Sequence, residues 1–188
     1  MKSLMRYLHL STINEGKWMI KFVENRFDDP VKNAVWNYVA GYTTGINNIL
    51  RRRGRADSDY VKLLDSAFTK KSKVDVYRTV DWKYLENIYN ITQETLKDFV
   101  GKKIQNRGYL STSTERKSPW GNTWRSDEVV LHIYSLKEIN VIDVNELFTS
   151  RDIDCVDQYE VILPRELEMS IKEYSVQDGT TFIEIEII

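Results

Sequence analysis

VDVYR, residues 74–78, marks where this chain changes character. Polar and apolar residues alternate through it, the period-2 pattern of a half-buried strand. The residues before it have a helical period. Asp29 followed by Pro30 is a helix start: an acidic cap, then a proline where its missing N–H is harmless. The segment VKNAVWNYVAGYTTGINNILRR, residues 31–52, carries Val31, Val35, Tyr38, Tyr42, Ile46, Ile49 and Leu50 near helical spacing, and Gly54 is a natural stop. An earlier helix, capped by Ser11 or Asn14, carries Trp18, Ile20, Phe22 and Val23. A later one, Ser58 to Phe68, carries Val61, Leu63, Leu64 and Phe68. Beyond Lys73, two short helical stretches near Trp82–Ile88 and Gln93–Val100, the second capped by Thr92, give way to GYLSTS, EVVLHIYS, INVID, QYEVILP, LEMSIKEYSV and TTFIEIEII. These runs are rich in β-branched and aromatic residues and broken by Gly, Asp and Asn, so they read as strands. Helices first and strands later predict an α+β domain with antiparallel sheets.

Composition narrows the function classes. The chain has 188 residues, 41% hydrophobic and 29% charged, the profile of an ordinary globular domain with a sizeable core. We expect a single domain over residues 1–188, mainly helical in 1–72 and mainly β in 73–188. The net charge of −1 provides no global field toward nucleic acid or anionic membrane. One cysteine, Cys155, excludes an internal disulfide, and His9 and His132 form no metal-ligand spacing, so no metal is expected. No apolar run approaches the roughly 20 residues that span a bilayer. The start, MKSLMRYLHLST, lacks the continuous apolar core and small-residue cleavage site of a signal peptide.

Three scattered elements carry chemistry: Arg78 at the end of VDVYR, Ser111-Thr112-Ser113 in GYLSTS, and Gln158 and Glu160 at the mouth of QYEVILP. Each alone reads as a solvated charge, a polar strand face or a chance pair. In this order they resemble the Arg…Ser-Thr-Ser…Glu signature of the bacterial mono-ADP-ribosyltransferases. INNILR (46–51), VKLLDSAFTK (61–70), NRGYLSTS (106–113) and QYEVILPR (158–165) extend the resemblance from about Trp18 to the end. It is strongest to the single-domain, Rho-directed exoenzymes, the botulinum exoenzyme family with its larvin-like relatives. Two other paired carboxylates, Glu166-x-Glu168 and Glu184-x-Glu186, lack the flanking context of Glu160. The second pair lies in a run whose strict alternation reads as one buried and one wet face.

The resemblance implies helices packed on a core of two antiparallel β-sheets, NAD as substrate and no metal. It implies a secreted toxin that acts as a monomer in the host-cell cytosol, with no nucleic-acid partner. It assigns catalysis to Glu160, with Ser111 orienting that carboxylate and touching the cofactor, and phosphate binding to Arg78, with a second contact from Arg51. Asn47, one turn from Arg51, is expected to hydrogen-bond NAD. Within ERKSPWGNTWRSD, residues 115–127, Arg125 or Arg116 is expected to make a phosphate–nicotinamide contact, and Trp120 or Trp124 to exclude water. Glutamine two positions before the catalytic glutamate goes with asparagine targets in Rho-type GTPases. An amide acceptor is neutral and suits an amide partner that both donates and accepts. Gln158 therefore points to a host small GTPase as protein substrate. The loop NELFTSRDIDCVDQYE departs from the family pattern: it is longer, and its nearest aromatic, Phe148, lies well upstream, with Ile153 or Cys155 nearer the usual place. A different protein target, actin or a bacterial protein, and NAD hydrolysis alone are the alternatives.

Overall fold

The computed structural model describes residues 12–13, 17–18, 26–41, 44–53, 58–116, 128–149, 152 and 159–188. They fall into two compact units, Met1–Phe68 and Thr69–Ile188.

In the first unit, β1 (Thr12–Ile13) and β2 (Lys17–Trp18) pair antiparallel, followed by helices α1 (Pro30–Val39), α2 (Thr44–Arg53) and α3 (Asp59–Ser66). Asp29 caps α1 as the sequence predicts: its Oδ1 accepts from the N–H of Val31 at 2.8 Å and of Lys32 at 3.3 Å. Ser58 caps α3 through the N–H of Tyr60. The Tyr60 hydroxyl donates to the Ala34 carbonyl at 3.0 Å, tying α3 to α1. Two expectations are corrected. The single helix expected over residues 31–52 is two, because Gly41 takes φ +78, a left-handed value open to glycine that ends α1. Trp18, expected on a helix, lies in β2; Thr12, Ile13 and Trp18 are β-branched or aromatic and suit a pleated pair. Ser11, Asn14, Ile20, Phe22 and Val23 lie outside the described residues.

In the second unit, β3 (Lys70–Ser72) and β4 (Asp75–Asp81) lead into α4 (Trp82–Tyr89) and a 3-10 turn (Leu96–Phe99). Then come β5 (Lys103–Asn106), β6 (Leu110–Ser113), β7 (Glu128–Ser135), β8 (Ile139–Asp143), α5 (Val144–Leu147), β9 (Glu160–Leu163), β10 (Leu167–Gln177) and β11 (Thr180–Ile187). Nine strands form one mixed sheet in the order β3-β8-β9-β6-β4-β7-β11-β10-β5. Within it, β3-β8-β9-β6 is wholly antiparallel. The group β4-β7-β11-β10-β5 is antiparallel except for the parallel pair β7–β11. The two groups meet at one register pair, Tyr77 opposite Ser113. The two antiparallel sheets expected from the sequence correspond to these groups, corrected by the parallel pair and by the junction that makes them continuous. The stretch expected to be helical at Gln93–Val100 narrows to the 3-10 turn, where the Thr92 and Thr95 hydroxyls bond to each other and to local N–H groups.

The core follows the alternation. Val76 and Val80 of β4, Leu131 and Ile133 of β7, and Ile183 and Ile185 of β11 are buried in one cluster with Leu85 of α4. Leu131 is 2% exposed on a strand with neighbours on both sides. We expect Leu131→Ala to cost about 2–5 kcal/mol, lost methyl burial plus a residual cavity. A urea titration should show a lower midpoint with an unchanged slope.

Candidate active site

Arg78 sits mid-strand on β4, on the side shared with Val76 and Val80. Three residues on, Asp81 ends the strand and caps α4, its Oδ1 accepting from the N–H of Tyr84 at 2.7 Å. This short connection brings the first turn of α4 back over the strand. The Arg78 guanidinium carbon lies 5.2 Å from the centre of the Tyr84 ring.

Ser111 lies on β6 and Glu160 opens β9. In that ladder Glu160 faces Ser113 and Ile162 faces Ser111. Glu160 and Ser111 are therefore diagonal neighbours on one face, close enough for side chains to meet. The Ser111 side chain stands beside the Glu160 carboxylate and favours its charged form. From the other strand group, Arg78 Nη1 donates to the Ser111 carbonyl at 2.5 Å. Thr112 points the opposite way, its hydroxyl donating to the Val161 carbonyl at 2.6 Å.

Glu160 is 9% exposed. Burial pushes its carboxyl above the ordinary carboxylate value; the Ser111 hydroxyl and the Arg78 charge pull the other way. The preceding residue, Tyr159, has φ +51, a region that side chains with Cβ rarely occupy. The Tyr159 carbonyl accepts from the N–H of Thr114 at 3.1 Å, which fixes the entry into β9.

Arg78, Ser111 and Glu160, three residues expected from the sequence, thus form one cluster within the second unit. Arg51 and Asn47 belong to α2 of the first unit, where both are half-buried while Asn48, Arg52 and Arg53 are exposed. The Asn47 side-chain amide donates to the Tyr38 hydroxyl at 2.9 Å. Gln158 and Arg125 lie outside the described residues, as do Trp120, Trp124, Ile153 and Cys155. Arg116 is exposed, its guanidinium 4.3 Å from the Phe182 ring centre. Phe148 is 3% exposed, so it is core.

The other carboxylate pairs have structural partners. Glu166 accepts from Gln105 at 3.0 Å, and Glu168 faces Lys103 at 3.5 Å. Glu184 bonds His132 Nδ1 at 2.5 Å and Glu186 pairs with Lys172. Sequence reasoning missed Tyr84 and Tyr159. The first reads as one more apolar residue of a helix, and the second shows its backbone conformation in no local pattern. Among the described residues no group of three or more His, Cys, Asp or Glu side chains is arranged to hold a metal ion, and no helix is long and apolar enough to cross a membrane.

Known structures share this architecture. C3larvin toxin, an ADP-ribosyltransferase from Paenibacillus larvae, is 24% identical, with 87% of this chain and 97% of that one covered at a TM-score of 0.63. The Clostridium limosum C3 exoenzyme is 21% identical, with 89% of each chain covered and a TM-score of 0.65. C3stau2 from S. aureus, solved with NAD, is 20% identical, with 87% of this chain and 88% of that one covered and a TM-score of 0.67. At these identities the likeness establishes the fold. No curated protein sequence shows a match. The family model of the ADP-ribosyltransferase exoenzymes matches residues 16–188. The chain belongs to the ADP-ribosyltransferase exoenzyme family and is an NAD-dependent mono-ADP-ribosyltransferase.

Proposed function

We propose that Glu160 is the catalytic carboxylate of this transferase and that Gln158 directs ADP-ribose to an asparagine of a Rho-family small GTPase in a host cell. The observation that carries the catalytic part is the buried carboxylate with Ser111 and Arg78 beside it. Cleaving the nicotinamide–ribose bond requires no strong nucleophile, because the leaving group departs from a cationic pyridinium. The barrier lies in positive charge developing on the ribose. Glu160 meets that charge in a site of low dielectric, where a fixed anion is worth more than in water. Ser111 orients the carboxylate. Arg78 presents a planar, permanently charged fork to the phosphates, with Arg51, Asn47 and Arg125 as further NAD contacts. Gln158 holds the acceptor amide as donor and acceptor at once.

A second reading keeps the chemistry and changes the acceptor to actin or a bacterial protein. The burial of Phe148 favours it, because that side chain offers no exposed aromatic ahead of Gln158. Mass spectrometry of a purified Rho GTPase incubated with the protein and NAD decides between them. A modified asparagine supports the first reading. An unmodified GTPase, with a different host or bacterial protein labelled in lysate, supports the second.

We expect Glu160→Ala to lower both NAD hydrolysis and protein transfer by about 100-fold or more. Gln158→Ala should keep hydrolysis and lose transfer. Hydrolysis surviving in Glu160→Ala would overturn the catalytic assignment. The ionised form of Glu160 is the working form, so the acid limb of the pH–rate profile should stand above the ordinary carboxylate range.

The same shift has a stability counterpart. A carboxyl with a folded-state pKa above its unfolded value favours the folded state below the unfolded value. It loses that contribution as pH rises through the folded pKa. Glu160→Gln, which cannot ionise, should therefore melt higher than the wild type at neutral pH, with the gap closing on acidification. A melting temperature equal at both ends of the range would contradict the burial argument.

A further inference from the structure

We propose that Tyr84, braced by Tyr89 and Asn106, is a positioning residue that holds the Arg78 guanidinium for the diphosphate of NAD; this rests on Arg78 being a phosphate contact, as argued above. An arginine side chain is long and rotamer-rich, and its value as a fork depends on how far it is fixed beforehand. In this site one N–H goes to the Ser111 carbonyl. Arg78 Nε is buried with no hydrogen-bond partner among the described residues. A further restraint is the Tyr84 ring, whose centre lies 5.2 Å from the guanidinium carbon. An aromatic face attracts a cation through its quadrupole, and more strongly where water is excluded.

Tyr84 is itself held in place. Its N–H donates to the Asp81 cap at 2.7 Å. Its ring meets that of Tyr89 edge-on, with centres 6.4 Å apart and planes at 71°. The Tyr89 hydroxyl donates to Asn106 Oδ1 at 3.3 Å. Asn106 is 0% exposed, and its amide donates to the Gly108 carbonyl. Gly108 stands at the entrance to β6, three residues before Ser111. The contacts therefore close a circuit: Arg78 to Ser111, back along β6 to Gly108, through Asn106 and Tyr89 to Tyr84, and so to Arg78. A buried amide satisfied at both ends of such a path fixes a geometry as well as filling space.

Tyr84 touches Arg78 through its ring, so its effect should fall on NAD binding. Steady-state NAD hydrolysis by the full chain tests this. Tyr84→Phe keeps the ring and should hold KM for NAD within about twofold. Tyr84→Leu fills most of the volume without a quadrupole and should raise KM roughly fivefold with kcat little changed. In a double-mutant cycle with Arg78→Lys, the two effects should fall short of additive. Replacing Tyr84 by phenylalanines of increasing fluorination weakens the ring's attraction at nearly constant shape; KM should climb with each fluorine, a readout that remains if Tyr84→Leu does not fold. A flat KM across that series, while Arg78→Lys raises KM, overturns the brace. An unchanged KM in Arg78→Lys overturns the assignment of Arg78 instead.

Discussion

β4 and β6 share one register pair and then part. Continued by two residues, the antiparallel register would set Thr79 against Ser111. The Ser111 carbonyl takes the Arg78 guanidinium in place of a strand neighbour. A carbonyl inside a sheet must be paired, so a cationic side chain at this point is what lets the two strand groups diverge. The same cation stands where Glu160 enters the sheet and offsets part of the cost of burying a carboxylate. Splayed strands, a restrained arginine and a buried acid are consequences of one substitution of side chain for backbone.

Ser111 belongs to both halves of that arrangement. Its carbonyl accepts from Arg78 and its side chain lies beside Glu160, so one residue stands between the cation and the anion. Strand alternation explains why two adjacent hydroxyl residues of the motif, Ser111 and Thr112, have different work. Thr112, on the opposite face, bonds the Val161 carbonyl and fastens β6 to β9. The site is held rigidly because its parts lie within paired strands.

What was legible in the sequence was whatever local pattern determines. TTFIEIEII buries Ile183, Ile185 and Ile187 and turns Glu184 and Glu186 the other way, as strict alternation requires. Asp29-Pro30 and Ser58 start helices because caps act within a few residues. The break at Gly41 was hidden, because the apolar spacing runs on across it and only the backbone angle reveals the end. β3, sequence Lys-Lys-Ser, carries no apolar signal. It is held by β8 and by Lys70 bridging Asp143 and Glu146. Arg78, Ser111 and Glu160 were singled out through their order along the chain. Tyr84 was not, since its ring faces a residue whose position depends on how β4 turns into α4.

The parallel pair β7–β11 carries a consequence for how the molecule is made. β11 lies between β7 and β10, so residues 180–187 occupy the middle of their strand group although the other four strands of that group precede them in the sequence. β10 and β5 reach β7 only through them. A nascent chain emerging in order therefore holds an unfinished edge on β7 until β11 arrives. Contacts so far apart in sequence close slowly. Ile183 and Ile185 of β11 join the buried cluster of Val76 and Val80, which flank Arg78 on its face of β4, so the backing of that strand is completed in the same late step.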